Sequence, residues 1–191
     1  IPVNRQVRND FSLTSGTALI TGSNMSGKTT LLRTVGVNAV LAYAGTICCA
    51  ESLVIGRMQI ASSMRIADNL AEGLSTFYAE LLRIGGIIEK SREEVPLLYL
   101  IDEIFRGTNS RDRTDGAKIV LKNLNKPWII GLMSTHDYEL CSSEVQGGMD
   151  LKNYHFSETY DEAGIHFDYK LAEGISVSAN ARYLMRMIGI E

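Results

Sequence analysis

Thr17-Ala18-Leu19-Ile20-Thr21-Gly22-Ser23-Asn24-Met25-Ser26-Gly27-Lys28-Thr29 runs from a short apolar, β-favouring stretch straight into a glycine-bracketed loop. Thr17 to Thr21 predicts a buried strand closed by Gly22. From Gly27 to about Tyr43, the residues Leu31, Leu32, Val35, Ala39, Val40 and Tyr43 recur at helical spacing. Between strand and helix, Gly22 to Thr29 fits G-x-x-x-x-G-K-[ST] in full. In that pattern the loop N–H groups and the helix N-terminus cradle phosphate oxygens. Lys28 is expected to reach the β- and γ-phosphates, and the Thr29 hydroxyl to ligate magnesium. The phosphate site predicted here comprises Gly22, Ser23, Asn24, Met25, Ser26, Gly27, Lys28, Thr29 and Thr30. A glycine turn that only starts a helix is the alternative, and the strand before it and the helix after it argue against that.

Further along the chain, Leu97 to Ile101 is an unbroken apolar run ending in Asp102 and Glu103, the pattern of a strand covered on both faces. Trp128 to Met133 is a second such run, ending in Ser134, Thr135, His136 and Asp137. Short strands are predicted at Ser52 to Ile55 and Met58 to Ala61 around Gly56, and helices at Phe77 to about Glu93 and Asp115 to Leu124. Gly85 and Gly86 inside the first of these helices mark either close packing or a kink. Lys152 to Thr159 and Ile165 to Leu171 alternate around a turn at Asp161 to Gly164, a β-hairpin, and a helix is predicted near Ser178 to Ile188. The alternation of strands and helices predicts an α/β fold of the P-loop NTPase kind, a mostly parallel sheet flanked by helices with a C-terminal β-hairpin and helix. In such sheets ligands sit at the carboxyl ends of the strands, where each polar cluster falls.

A phosphate cradle needs a carboxylate nearby to hold magnesium and to activate water. Asp102 is expected to hold the metal, and Glu103 to position or deprotonate the attacking water. An Asp-Glu pair alone usually starts a solvated loop; here five apolar strand residues precede it. His136, at the end of the other apolar strand, is placed to reach the γ-phosphate, although a lone histidine is more often structural. Arg106, Arg111 and Arg113 read by default as a salt-bridged surface loop, with an interface or phosphate role as the alternative.

At 191 residues and 45% hydrophobic, the chain supplies one sizeable core and reads as a single domain over 1–191. Its net charge of -3 lacks the basic excess of a domain that grips a duplex by itself. Cys48, Cys49 and Cys141 form no disulfide frame or zinc spacing and read as buried, reduced thiols. No stretch approaches the ~20 apolar residues of a membrane span, and no signal peptide is visible, so a cytoplasmic location is expected. The start at Ile1, without an initiator Met, reads as the C-terminal piece of a longer protein.

Together these residues resemble the C-terminal ATPase domain of the MutS mismatch-repair family, within the ABC-type ATPase superfamily. TGSNMSGKTT is very like that family's TGPNMGGKST, Asp102 to Thr108 like its DEIGRGT, and Ser134-Thr135-His136 like its ATH. Gly73-Leu74-Ser75-Thr76-Phe77 resembles its signature loop, G-x-S-T-F. The resemblance implies ATP and Mg2+ as ligands, ATP hydrolysis, and a homodimer whose ATPase domains close and reopen with the nucleotide cycle. It implies that Ser75 touches the γ-phosphate of the partner's ATP in trans; a helix cap before Phe77 is the plainer role of that serine. DNA contact is implied through domains outside this chain, and no membrane association. An extra stretch, Asn109 to Thr114, Glu72 at a position where a small residue is common, and no clear adenine-stacking aromatic around Gln6 to Asn9 depart from the family pattern. They suggest a MutS-like branch rather than the mismatch-correcting protein itself. An ABC-type transporter motor is the first alternative, but LAEGLSTF lies well upstream of the Asp-Glu strand, where a transporter carries an LSGGQ-like signature close to it. A nucleotide-binding switch without significant turnover is the second.

Overall fold

The two continuous apolar runs form the centre of the sheet, because strands covered on both faces need no polar alternation. In the computed structural model residues 6–64, 76–105, 107–142, 147–161 and 164–175 are described. Strand β1 is Gly16–Thr21, β2 Gln59–Ser63, β3 Leu97–Asp102, β4 Ile129–Ser134, β5 Leu151–Asp161 and β6 Gly164–Glu173. Helices α1, α2 and α3 span Lys28–Tyr43, Thr76–Lys90 and Ser110–Leu124. The sheet order is β2-β3-β4-β1-β5-β6. All neighbours run parallel except the β5–β6 hairpin. The chain is thus an α/β fold on a mixed, mostly parallel six-stranded sheet.

Alternate residues of the central strands feed two separate cores. Ala18 and Ile20 of β1, Leu98 and Leu100 of β3, and Leu132 of β4 pack with Leu32 and Ala39 of α1. Leu19, Leu97, Tyr99, Ile101, Ile129 and Met133 face the other way, against Ile84 and Ile87 of α2 and Ala117, Val120, Leu121 and Leu124 of α3. On that second face Tyr99 lies across Gly131, where an added Cβ would stand 2.0 Å from the ring. The same Tyr99 hydroxyl is bonded to Thr17 Oγ1 at 2.5 Å, so its one polar atom is satisfied inside the core.

Several expected boundaries shift for local reasons. Ser52 to Ile55 form no strand. The Tyr43 hydroxyl donates to Gly56 O at 2.7 Å and accepts from Met58 N at 3.2 Å, taking up backbone groups that a strand neighbour would otherwise bind, and Val54 is 99% exposed. Helix α3 starts at Ser110, not Asp115, because Asn109 caps it, accepting from Asp112 N at 2.9 Å. The extra stretch therefore adds helix rather than loop. Helix α2 ends at Lys90 and passes into a 3-10 turn, Ser91–Glu93. A Cβ at Gly85 or Gly86 would meet nothing within 4 Å, so close packing is not their reason. Of the three cysteines expected to be buried only Cys141 is, and burial pushes its thiol up to about 11, which keeps it protonated at neutral pH; Cys48 is half-buried and Cys49 exposed. The predicted helix near Ser178 to Ile188, Ser75 and Arg106 lie outside the described residues. No described helix is long and apolar enough to cross a membrane.

Gly131→Ala should lower stability by about 1–3 kcal/mol, the cost of overpacking a filled core, while Gly85→Ala should raise it by about 0.5–1 kcal/mol through helix propensity alone. Denaturant midpoints read both changes, and a neutral Gly131→Ala would show that Tyr99 has room to move.

Candidate functional site at the carboxyl ends of the central strands

Three parallel strands end side by side. Ile20 of β1 and Asp102 of β3 both stand opposite Ser134 of β4, so the segments leaving them emerge together. Thr135 N donates to Ile20 O at 3.0 Å, joining the ends of β1 and β4. From β1 the chain enters the glycine loop. Gly22, at φ +142, has Ser26 Oγ and Phe156 O within 3 Å of where a Cβ would sit, so both its conformation and its surroundings require glycine.

Within the loop Lys28 is buried and its ammonium donates to Gly22 O at 2.8 Å and Ser23 O at 2.7 Å. Ser26 is 1% exposed and its hydroxyl has no hydrogen-bond partner among the described residues. Helix α1 has no side-chain cap at its start and no acidic residue in its first turn. A buried cation, an orphaned hydroxyl and an uncapped helix N-terminus are the donor set a phosphate satisfies, so the loop fits a phosphorylated ligand. Asn24 and Met25 sit at the loop's crest, Met25 at φ 68 and 84% exposed. Thr30 follows in the first turn of α1, and its carbonyl accepts from Thr34 Oγ1 at 2.8 Å.

The acidic pair meets this loop directly. Thr29 Oγ1 donates to Asp102 Oδ2 at 2.8 Å, and Ser134 Oγ donates to Asp102 Oδ1 at 2.6 Å. One hydroxyl and one carboxylate oxygen converge there, hard oxygen donors of the kind magnesium takes alongside substrate phosphates. Glu103 stands at φ 57, in the left-handed region, and its N–H reaches Ser134 O at 3.2 Å and Ser134 Oγ at 3.0 Å. Its Oε1 lies 3.0 Å from His136 Nε2, which is also 3.1 Å from Asn24 Oδ1. Because the carboxylate accepts, Nε2 is the nitrogen that donates. Of the residues expected from the sequence, the structure brings the loop, Asp102, Glu103 and His136 together, whereas Ser75 is outside the described residues.

Arg113 has the plainer of its two expected roles. Its Nε and one terminal nitrogen grip Asp137 at 2.6 and 2.8 Å, next to His136. That bond is the main cause of the raised pKa of the guanidinium. Asp137 N in turn donates to Thr135 Oγ1 at 2.9 Å. The extra turn of α3 thereby anchors the segment that carries the histidine. Arg111 lines a cleft of about 520 Å³ between the start of α3 and His136 to Glu139.

Two residues escaped the sequence reading. Ser134 looked like the polar edge of a strand, yet it is fully buried between Asp102 and Glu103. Gln6 to Asn9 carry no aromatic. Asn9 instead binds the edge of β6, accepting from Leu171 N at 2.8 Å and donating to Tyr169 O at 2.9 Å. Phe156 pairs with Leu171 and Glu158 with Phe167, so three residues of β6 face one of β5, and Tyr169 inside this bulge has φ 55. The bulge sets its ring beside the glycine loop, 3.5 Å from a Cβ position at Gly27. Regular alternation in the sequence hides a bulge, so no signal pointed to it.

A model of the MutS domain V family matches residues 18–190. Among similar proteins, the DNA mismatch repair protein MutS of Halothermothrix orenii is 34% identical over 82% of this chain and 17% of its own length. DNA mismatch repair protein MutS 2 of Halobacterium salinarum is 32% identical over 96% of the chain and 21% of its own length. MutS of Thermus thermophilus is 30% identical, over 96% and 22%. The chain thus spans about a fifth of the length of these relatives. The narrower expectation, a branch set apart from the mismatch-correcting protein, is corrected: these relatives carry that protein's name, and the extra stretch that argued for separation is a capped helical turn.

Arg113→Ala leaves the mostly buried Asp137 without its bidentate partner, and should cost about 1–3 kcal/mol of stability, the range for a hydrogen bond to a charged group. A thermal or urea melt measures it; a loss below about 0.3 kcal/mol would mean that solvent replaces the pair without cost.

Proposed function

The chain belongs to the MutS domain V family, and from that membership and the site above we propose that it is a P-loop ATPase domain that binds ATP with magnesium and hydrolyses it. The observation that carries the reading is the convergence of the Lys28 loop, the Thr29–Asp102 contact and the Glu103–His136 pair at the ends of three adjacent strands. Lys28 exchanges its loop carbonyls for the β- and γ-phosphates, and Ser26 gains the acceptor it lacks. Thr29 and Asp102 hold the magnesium ion, which offsets phosphate charge when bound. Glu103 orients the attacking water and takes its proton on the carboxylate. His136, hydrogen-bonded to both Glu103 and Asn24, keeps that carboxylate aimed across the loop toward the γ-phosphate. Tyr169, beside the loop, offers a flat face for the base.

On this reading ATP binding draws two such domains together, with Ser75 contacting the partner's γ-phosphate, and hydrolysis lets them part. The motor serves a DNA mismatch repair protein of which this chain is a part, and other segments of that protein hold the DNA. The acidic balance of the chain, -3, supports placing the duplex contacts elsewhere.

Glu103→Gln should lower turnover by roughly 100-fold or more, the general-base range, with ATP affinity within a few-fold of wild type. Lys28→Ala should weaken nucleotide binding itself. Phosphate release and equilibrium nucleotide binding read the two effects; equal loss of both in Glu103→Gln would remove its proposed role, and wild-type binding without phosphate release would leave a switch rather than a motor.

Mixing Ser75→Arg with Lys28→Ala, each inactive alone, should restore part of the ATPase activity, since both lesions then fall in one shared site of the heterodimer. Absence of recovery in mixtures shown to contain heterodimers would count against action in trans.

A further inference from the structure

Asp102 and Glu103 are adjacent in sequence and are expected to do different work, so something must hold them apart in aim. The β-strand ends at Asp102, whose carboxylate points at Thr29. The next residue, Glu103, turns into the left-handed region at φ 57, a strained conformation for a non-glycine residue. Both features meet at one hydroxyl. Ser134 Oγ donates to Asp102 Oδ1 at 2.6 Å and accepts from Glu103 N at 3.0 Å. Its residue is fully buried, away from bulk solvent. With Oδ1 taken by Ser134, the carboxylate plane is set and Oδ2 is left toward Thr29.

We propose that Ser134 is the positioning residue of the site, aiming Asp102 at the metal position and holding Glu103 in its left-handed turn. The inference rests on the ATPase reading for its metal half, and on the ligand-free fold for its backbone half. A purely structural serine would change stability when truncated and leave the two carboxylates acting as before. Ser134 instead links them: loss of its hydroxyl frees the Asp102 carboxylate to rotate and removes one acceptor of the Glu103 N–H, which among the described residues also reaches Ser134 O.

The test uses the 191-residue chain as wild type, Ser134→Ala and Ser134→Thr, the last retaining a hydroxyl. In the ligand-free protein, amide exchange at Glu103 followed by NMR should quicken about tenfold in Ser134→Ala relative to neighbouring β3 amides, one hydrogen bond's worth, and recover in Ser134→Thr. Mn2+ added with ADP and followed by EPR should bind about tenfold more weakly to Ser134→Ala, while ADP affinity in EDTA stays within twofold. Unchanged exchange at Glu103 would overturn the holding role, and equal losses with and without metal would overturn the aiming role. A wild-type chain that takes up no Mn2+ with ADP would overturn the functional reading and the aiming role together, and the exchange result would still decide the holding role. If Ser134→Ala melts too low to study, Ser134→Thr carries the test: wild-type exchange and Mn2+ affinity support the proposal, and losses equal to those of a missing hydroxyl overturn it.

Discussion

The Asp102 carboxylate is where the three central strands become one site. It closes β3, receives the Thr29 hydroxyl from the first turn of α1, and receives the Ser134 hydroxyl from the end of β4. These bonds exist only because β1, β4 and β3 are consecutive in the sheet, with Ile20, Ser134 and Asp102 in register. A shift of one residue in any of these pairings would reverse the face of every side chain on that strand. The alternation that fills two cores therefore also sets the site: the same register that buries Tyr99 and Leu100 on opposite faces brings the carboxylate to the loop.

Beyond the carboxylate, the chain turns sharply and is braced from α2. Glu103 and Phe105 both have positive φ. Phe105 N donates to Glu80 Oε1 at 2.6 Å, and its ring meets Phe77 edge-on with centroids 6.1 Å apart. A Cβ on Gly107 would stand 2.9 Å from that of Phe77. The first turn of α2 and the segment after Asp102 are thus packed as one piece. Left-handed backbone at two bulky residues persists when surrounding contacts over-determine it, and here the contacts come from a helix and a neighbouring strand.

The far side of the loop is shaped by the hairpin. Phe156 packs into the α1 core and lies close to both Gly22 and Gly27. Ser23 donates to Glu158 of β5 at 2.9 Å, and the bulge in β6 brings Tyr169 alongside. The antiparallel hairpin extends beyond the end of β1, and this overhang encloses the loop from the side opposite Asp102.

Local sequence specifies the strand–loop–helix unit, the two buried strands ending in polar residues, the hairpin and the identity of the loop, acidic and histidine residues. Each is written in local spacing: apolar runs of strand length, helical periodicity after Gly27, and a motif whose residue types answer to phosphate chemistry. Tertiary structure decided which strand ends are neighbours, and so which oxygen of Asp102 meets Thr29 and which meets Ser134. It also moved the start of α3 to Asn109, gave Gly56 and Met58 a side-chain partner in place of a strand, and turned Tyr169 toward the loop. These depend on contacts between residues far apart in the chain, such as Thr29 with Asp102 and Asn9 with Leu171. Periodicity reports which face of an element is apolar; it carries no information about which element that face will meet.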